Sequence, residues 1–184
     1  KLSEFRHVRK GGIVAMGLKP GTSLFTAALT SVKNDIIIGT RMGKAIRFKE
    51  SQVRPMGRQA DGVKAVTHKP KDRVISMIVV GDDDKYIFTA SENGYGKKTP
   101  IEDYPVHRRG GQGVLNLRIT EKIGPALDMV NVNEDDLLVI TISGKVIRIK
   151  TTDFRPLSRA TQGVKIIQLD EGDQVCSIAK VQED

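Results

Sequence analysis

Three stretches of this chain superimpose without gaps at an offset of about fifty residues, and nothing else in the sequence limits the fold as strongly. Residues 35–48 (DIIIGTRMGKAIRF) lie over 136–149 (DLLVITISGKVIRI), with 85–98 (KYIFTASENGYGKK) between them. The turn glycines Gly43, Gly94 and Gly144 stand 51 and 50 residues apart. Nineteen residues after each comes a second glycine followed by valine: Gly62-Val63, Gly113-Val114 and Gly163-Val164. An incomplete fourth copy opens the chain over Phe5 to Leu18, around Gly11-Gly12, in a register open by two residues. The chain therefore divides as one domain over 1–184, in approximate repeats of 1–34 (partial), 35–84, 85–134 and 135–184.

Each unit reads as β. Runs of isoleucine, valine and threonine flank Met42-Gly43, Asn93-Gly94 and Ser143-Gly144, and Asn-Gly is a strong hairpin signal. Gly94 is expected at positive φ in a type I′ turn. After the second glycine, Val63 to Val66, Val114 to Ile119 and Val164 to Ile167 predict a third strand per copy. Pro55, Pro105 and Pro156 stand in the connections, where a missing N–H does least harm. Asp82-Asp83-Asp84 and Glu134-Asp135-Asp136 mark solvent turns at strand starts. Eighteen Gly and seven Pro exclude a bundle of long helices, and no segment has a 3.6-residue apolar period. The expected fold is all-β: about four small sheets, each burying its apolar face against the next in a propeller-like array.

The chain carries 30 Lys and Arg against 22 Asp and Glu, a formal charge of +8. The excess is concentrated: residues 41–73 hold ten basic and three acidic side chains. Arg58, Arg109 and Arg159 keep one register, four residues before the second glycine. Arg47, Lys98 and Arg148 keep another, four residues after the turn glycine. Glycine lets a backbone approach a phosphate, and the arginine fork matches phosphate oxygens. Charge alone does not separate a binding stripe from a solvated surface. The fixed period, with Arg108-Arg109 before Gly110-Gly111, points to a polyanion. With no Trp and only eight Phe and Tyr, duplex DNA suits the composition better than a stacked single strand. Tyr104 and Phe154 share the register of Val53 and read as core. Arg58, Arg109 and Arg159 are expected to be solvent-exposed on one rim, so that Arg109→Ala would leave the melting temperature nearly unchanged.

Enzyme signals are weak. Gly110-Gly111-Gln112 matches a peptidyl-tRNA hydrolysing tripeptide, but the repeat accounts for Gln112, since Gln162 recurs in its register. Residues 39–45 (GTRMGKA) are one residue short of a P-loop and sit in a hairpin. Gly94-Tyr95-Gly96 lacks the third glycine of a dinucleotide site. His7, His68 and His107 are scattered, which leaves no metal site, and Cys176 reads as a small buried residue. No catalytic residue, metal or cofactor is expected. One cysteine and no long apolar run suggest a soluble domain of a reducing compartment.

His107-Arg108-Arg109-Gly110-Gly111-Gln112-Gly113 resembles the basic box, written QRRGGKG, of the C-terminal domain of the DNA gyrase A subunit. Residues 92–99 (ENGYGKKT), 102–104 (EDY) and 158–164 (SRATQGV) resemble the same type II topoisomerase family, and the likeness covers essentially the whole chain. His107 replaces the box glutamine and Gln112 its second basic residue. The resemblance implies a β-pinwheel that binds and bends duplex DNA during negative supercoiling by an ATP-hydrolysing holoenzyme. It implies later blades, with the principal box upstream. The implied partners are double-stranded DNA, the rest of the gyrase A subunit and the gyrase B subunit in an A2B2 assembly, in the bacterial cytoplasm at the nucleoid, with no membrane contact. The implied phosphate contacts are Arg58, Arg109 and Arg159, helped by Arg108, Arg47, Lys98, Arg148, Lys64 and Lys165, with Gly110, Gly111 and Gly113 admitting the duplex. The alternatives are the topoisomerase IV A subunit and a propeller-like protein-interaction scaffold.

Overall fold

The computed structural model describes residues 1–31 and 33–181, so the end of the last repeat, 182–184, lies outside the described residues. Eleven strands form in chain order: β1 (Asp35–Thr40), β2 (Lys44–Lys49), β3 (Val74–Val80), β4 (Tyr86–Ser91), β5 (Tyr95–Pro100), β6 (Val114–Leu115), β7 (Ala126–Val132), β8 (Asp136–Thr141), β9 (Val146–Lys150), β10 (Val164–Lys165) and β11 (Val175–Lys180). The helical elements are 3-10 turns of three or four residues. Three sheets result, in orders β3-β1-β2-β6, β10-β5-β4-β7 and β11-β8-β9. Three sheets, not four, is a correction. Among the described residues, 1–34 contain a 3-10 turn at Leu2–Phe5 and no strand.

The sheets do not coincide with the sequence repeats. Hairpins β1–β2, β4–β5 and β8–β9 each pair with a strand from the end of their own repeat: β3, β7 and β11. The other edge of the first two hairpins is completed by the next repeat. Val114 and Leu115 pair with Ala45 and Lys44, while Val164 and Lys165 pair with Gly96 and Tyr95. The third strand is thus only two residues long, and it serves the preceding sheet. Residues 63–66 form no strand, and the described residues of 1–34 supply no hairpin with which they could pair.

Glycine geometry makes the exchange possible. The six register glycines all have positive φ, between 67° and 86°. The Gly43 carbonyl accepts the N–H groups of Asn116 and Leu117 at 2.7 and 3.0 Å. The Gly94 carbonyl accepts those of Ile166 and Ile167 at 2.9 and 3.4 Å. Gly94 N–H bonds Ser91 O, so Gly94 is the fourth residue of its turn, not a central residue of a type I′ turn. Gly144 turns the same way but meets no neighbouring repeat: a Cβ there would have nothing within 4 Å.

The core follows this plan. Ile37, Ala45, Ile87, Ile101, Tyr104 and Met129 pack between the first two sheets. Phe88, Val132, Leu137, Val139, Ile166 and Ile178 pack between the second and third. Tyr104 is buried, and Phe154 meets Phe88 edge-to-face at 5.5 Å, so both are core side chains. Strand β9, lacking an incoming strand, alternates between exposed and half-buried positions. Cys176 corrects its expected burial. It falls in the irregularity between Val175 and Ser177 of β11, which turns it outward while Val175 and Ile178 stay inside.

Gly94→Val adds the strain of a left-handed backbone to a collision, since even a Cβ would lie 2.8 Å from Ile167 Cγ2 and 2.9 Å from its carbonyl. A loss of about 2–4 kcal/mol in urea unfolding is expected, against about 1 kcal/mol for Gly144→Val, where only the backbone term applies.

Candidate nucleic-acid interface

The basic positions separate into three groups. The first register is structural. The Arg47 guanidinium bonds Asp35 at 2.7 and 2.8 Å and donates through Nη1 to Ile101 O at 2.9 Å. Lys98, one repeat later, donates through Nζ to Thr151 O at 2.7 Å. Ile101 and Thr151 open the 3-10 turns Ile101–Asp103 and Thr151–Asp153 of the respective next repeats. The clamp recurs in one register although its local partner changes: Tyr86 stands where Asp35 does, and Lys98 Nζ lies 5.0 Å from its ring centroid. Arg148 bonds Asp136 at 2.5 Å. Arg47 and Lys98 are therefore corrected from phosphate contacts to clamps between sheets. Lys98 is only 7% exposed, and a phosphate could reach it only by dismantling the clamp.

The second register is divided between fold and surface. Arg58 Nη1 donates to Val14 O at 2.6 Å, Arg159 Nη1 to Leu115 O at 2.9 Å, and Arg109 Nη1 to Lys64 O. Val14, Lys64 and Leu115 each lie two residues after a second-register glycine, counting Gly12 as the first. Each arginine thus ties its loop to the same carbonyl of the preceding repeat. All three are half-buried, which corrects the expectation of solvent-exposed side chains. Their tether accounts for the equivalence of the three loops. Arg109→Ala is accordingly expected to cost stability as well as charge.

The third group is exposed: Arg108, Lys64 and Lys165, the last reaching Gln168 Oε1 at 2.9 Å. Arg54, Lys69, Lys71, Arg73 and Arg155 are also exposed. Arg54 and Arg155 share one register, eight residues before the second glycine, which escaped notice because Pro105 interrupts it in the middle repeat. The glycines divide as well. Gly111 is exposed, whereas the Gly110 N–H is committed to Ala65 O at 2.8 Å. Gly113 faces the Ala45 carbonyl, which a Cβ would strike, so its lack of a side chain serves the strand exchange and not the approach of a duplex. Residues 104–120 and 154–169, which carry the second and third loops, contain no Asp or Glu.

Lys97, absent from the sequence-derived set, is the unexpected member of this region. It occupies the register of Ile46 and Ile147, is 1% exposed, and donates to Ser158 O at 2.8 Å and Arg159 O at 2.5 Å. Burial, with Arg159 nearby, pushes its pKa down to about 7, against the opposing pull of Asp103. Comparing the three repeats column by column exposes it as a charge in an apolar column.

Burial works to raise the Asp35 carboxyl pKa, but its bonds to Lys49 and Arg47 outweigh that and hold it below the ordinary value. A depressed folded pKa contributes stability above the unfolded value, near pH 4, which is lost as pH falls through the folded value. Arg47→Met should cost about 2–4 kcal/mol at neutral pH and flatten the acid limb of the stability profile. Arg108→Ala should stay within about 0.5 kcal/mol of the parent. Urea titrations from about pH 2 to pH 7 measure both.

The chain is similar to curated and solved proteins along its whole length. It is 45% identical over 180 residues to the DNA gyrase A subunit of Kosmotoga olearia, covering 96% of this chain and 22% of that protein. It is 38% identical over 185 residues to the gyrase A protein of Staphylococcus aureus, covering 100% and 21%. The chain thus spans about a fifth of these relatives' length. Among solved structures, a DNA topoisomerase IV C-terminal domain superimposes with a TM-score of 0.91 at 26% identity, covering 98% of this chain and 57% of that one. A DNA gyrase A C-terminal domain gives 0.84 at 24%, covering 93% and 58%. The family model of the DNA gyrase C-terminal domain, a beta-propeller, matches residues 34–81, 85–124 and 135–182, one segment for each sequence repeat that supplies a hairpin, and the chain belongs to that family.

Proposed function

We propose that this chain is a non-catalytic module that binds and bends duplex DNA within a gyrase-type topoisomerase. The observation that carries the reading is the repetition of one arginine-bearing loop, tethered identically to its neighbour, within segments free of acidic side chains. Exposed Arg108, Lys64 and Lys165 are the primary phosphate contacts. Arg58, Arg109 and Arg159 contribute the charge their carbonyl tethers leave available, Arg148 is a lesser contributor because Asp136 offsets its charge, and Gly111 permits close approach. Such contacts follow the backbone and DNA deformability with little base readout. Smoothly bending 20–30 base pairs by 40–90° costs about 1–6 kcal/mol, which several phosphate contacts acting together can offset.

The wider assignment belongs to the same proposal: partnership with the rest of a gyrase A subunit and with gyrase B, support of ATP-dependent negative supercoiling, no cofactor of its own, and a place in the bacterial cytoplasm at the nucleoid. No helix among the described residues is long and apolar enough to cross a membrane. The division into repeats, with 1–34 as a partial copy, is supported by the Val14 carbonyl, which receives Arg58 as Lys64 and Leu115 receive Arg109 and Arg159. Likeness in fold to a topoisomerase IV domain makes that enzyme the alternative, and the 38–45% identity to gyrase A subunits favours gyrase.

Affinity for mixed-sequence duplex should fall linearly in log K against log salt, with a slope of about −0.9 per phosphate neutralised. The triple change Arg108→Glu, Lys64→Glu and Lys165→Glu should make the slope shallower by about 2–3 and remove the energy-transfer signal of a bent, end-labelled duplex, with circular dichroism unchanged. Salt-independent binding, or a strong preference for one sequence, would reject the proposal.

A further inference from the structure

Lys97 holds the third basic loop from beneath. Its ammonium nitrogen lies within hydrogen-bond distance of two successive loop carbonyls, Ser158 and Arg159. Gly163, at the end of the same loop, packs over its side chain, with a virtual Cβ 3.4 Å from Lys97 Cβ. The loop leaves this anchor to send Arg159 Nη1 to Leu115 O at 2.9 Å. In the neighbouring repeats the same position is Ile46 and Ile147, so the fold does not require a charge there. Two acceptors match the two hydrogens of a neutral amine, whereas the ammonium carries a third.

The groups around it set the balance between those states. Burial and Arg159 disfavour the ammonium, and Asp103 of the 3-10 turn favours it, which leaves the pKa at about 7. Strand β4 faces Lys97 with Thr89, which does not titrate in this range. Buried Tyr104 is hydrogen-bonded to Asn116 Oδ1 at 2.6 Å, and burial drives its pKa up, so it stays neutral. On β10, Lys165 is held by Gln168. The neighbouring Lys98 ammonium is held on Thr151 O.

We propose that Lys97 is a positioning residue of the 158–163 loop whose charged form is favoured when a polyanion lies on that loop, so that duplex binding takes up a proton there. The inference rests on the duplex-binding reading above. A phosphate on the loop places negative charge over a buried, weakly screened amine, and this favours the ammonium. The sign follows from linkage: a pKa higher in the complex than in the free chain means tighter binding at lower pH, with the gain lost as pH rises through the bound-state value. An upward shift of about one unit from 7 makes wild-type affinity about sixfold greater near pH 6.5 than near pH 8.5, relative to a variant without the amine.

The test is calorimetry of the whole chain with a mixed-sequence duplex near pH 7.5, in two buffers of different ionisation enthalpy. Wild type should take up about half a proton per complex more than Lys97→Ile, whose replacement is the residue of the neighbouring repeats. His7, His68 and His107 are common to both proteins and cancel in the difference. Direct NMR titration of the wild-type Lys97 side chain, which needs no variant, should give a midpoint near 7 that moves up by about one unit with duplex. Equal proton uptake in both proteins, or a midpoint that duplex leaves unmoved, overturns this inference while leaving duplex binding intact. Wild type that fails to bind duplex at any pH overturns the duplex reading and this inference with it.

Discussion

The first two hairpins each receive the fourth strand of their sheet from the next repeat, and much of the remaining structure depends on that exchange. The edge of β2 is closed by β6 and that of β5 by β10, in each case by two residues from the next repeat. So short a strand has little packing area of its own. It is held because a turn glycine at positive φ turns its carbonyl towards the incoming N–H groups, and because a second glycine lets the backbones meet without a side chain between them. Sheets joined in this way cannot slide independently. The loop before each exchanged strand inherits a fixed position from the exchange, which is how a flexible, glycine-rich segment comes to present the same arginine in successive repeats.

Much of this is legible in the residues alone. The two glycine registers mark the backbone positions that need left-handed geometry, and all six residues adopt it. The shared column of Val53, Tyr104 and Phe154 points to apolar packing, and Tyr104 is sealed in the core. The destination of the third strand is not legible. Two residues of Val-Lys or Val-Leu carry no periodicity, and whether they pair with their own hairpin or the previous one depends on a loop whose path local sequence does not determine. Strands β3, β7 and β11 also escape notice, since their apolar patterns lie outside the segments that align most closely.

The recurring basic positions have a structural reason as well. Arg47, Lys98, Arg58, Arg109 and Arg159 recur because the contact between repeats recurs, and each donates to a main-chain carbonyl of an adjoining repeat. Periodicity in a repeat protein reports first on the interface between units. Arg108 faces outward and does not repeat, with Gly57 and Ser158 in its register, whereas exposed Lys165 repeats Lys64 with Leu115 between them. Regularity alone was therefore the wrong criterion for choosing contacts, and the change from Asp35 to Tyr86 beneath the clamp shows how far its chemistry can vary while its geometry stays.

This division changes what the net charge of +8 means. Asp35 is matched by Arg47 and Lys49, Glu92 by Arg41, Asp136 by Arg148 and Asp135 by Lys180. Closely matched pairs cancel at a distance and contribute little to the field outside the protein, and exposed charges beyond a Debye length of about 8–10 Å are screened in any case. The potential a polyanion meets is therefore set by the exposed basic side chains of the loops, most strongly where no acid interrupts them over 104–120 and 154–169. Acidic turns such as Asp82-Asp83 lie at the other end of the repeat, at the strand starts. Strand-start turns and exchange loops alternate along the sequence, with Asp82-Asp83 and Glu134-Asp135 in the former and exposed Arg108 and Lys165 in or beside the latter. On the duplex-binding reading, loop substitutions would strengthen or weaken the hold on a polyanion without touching the ion pairs that keep the sheets together.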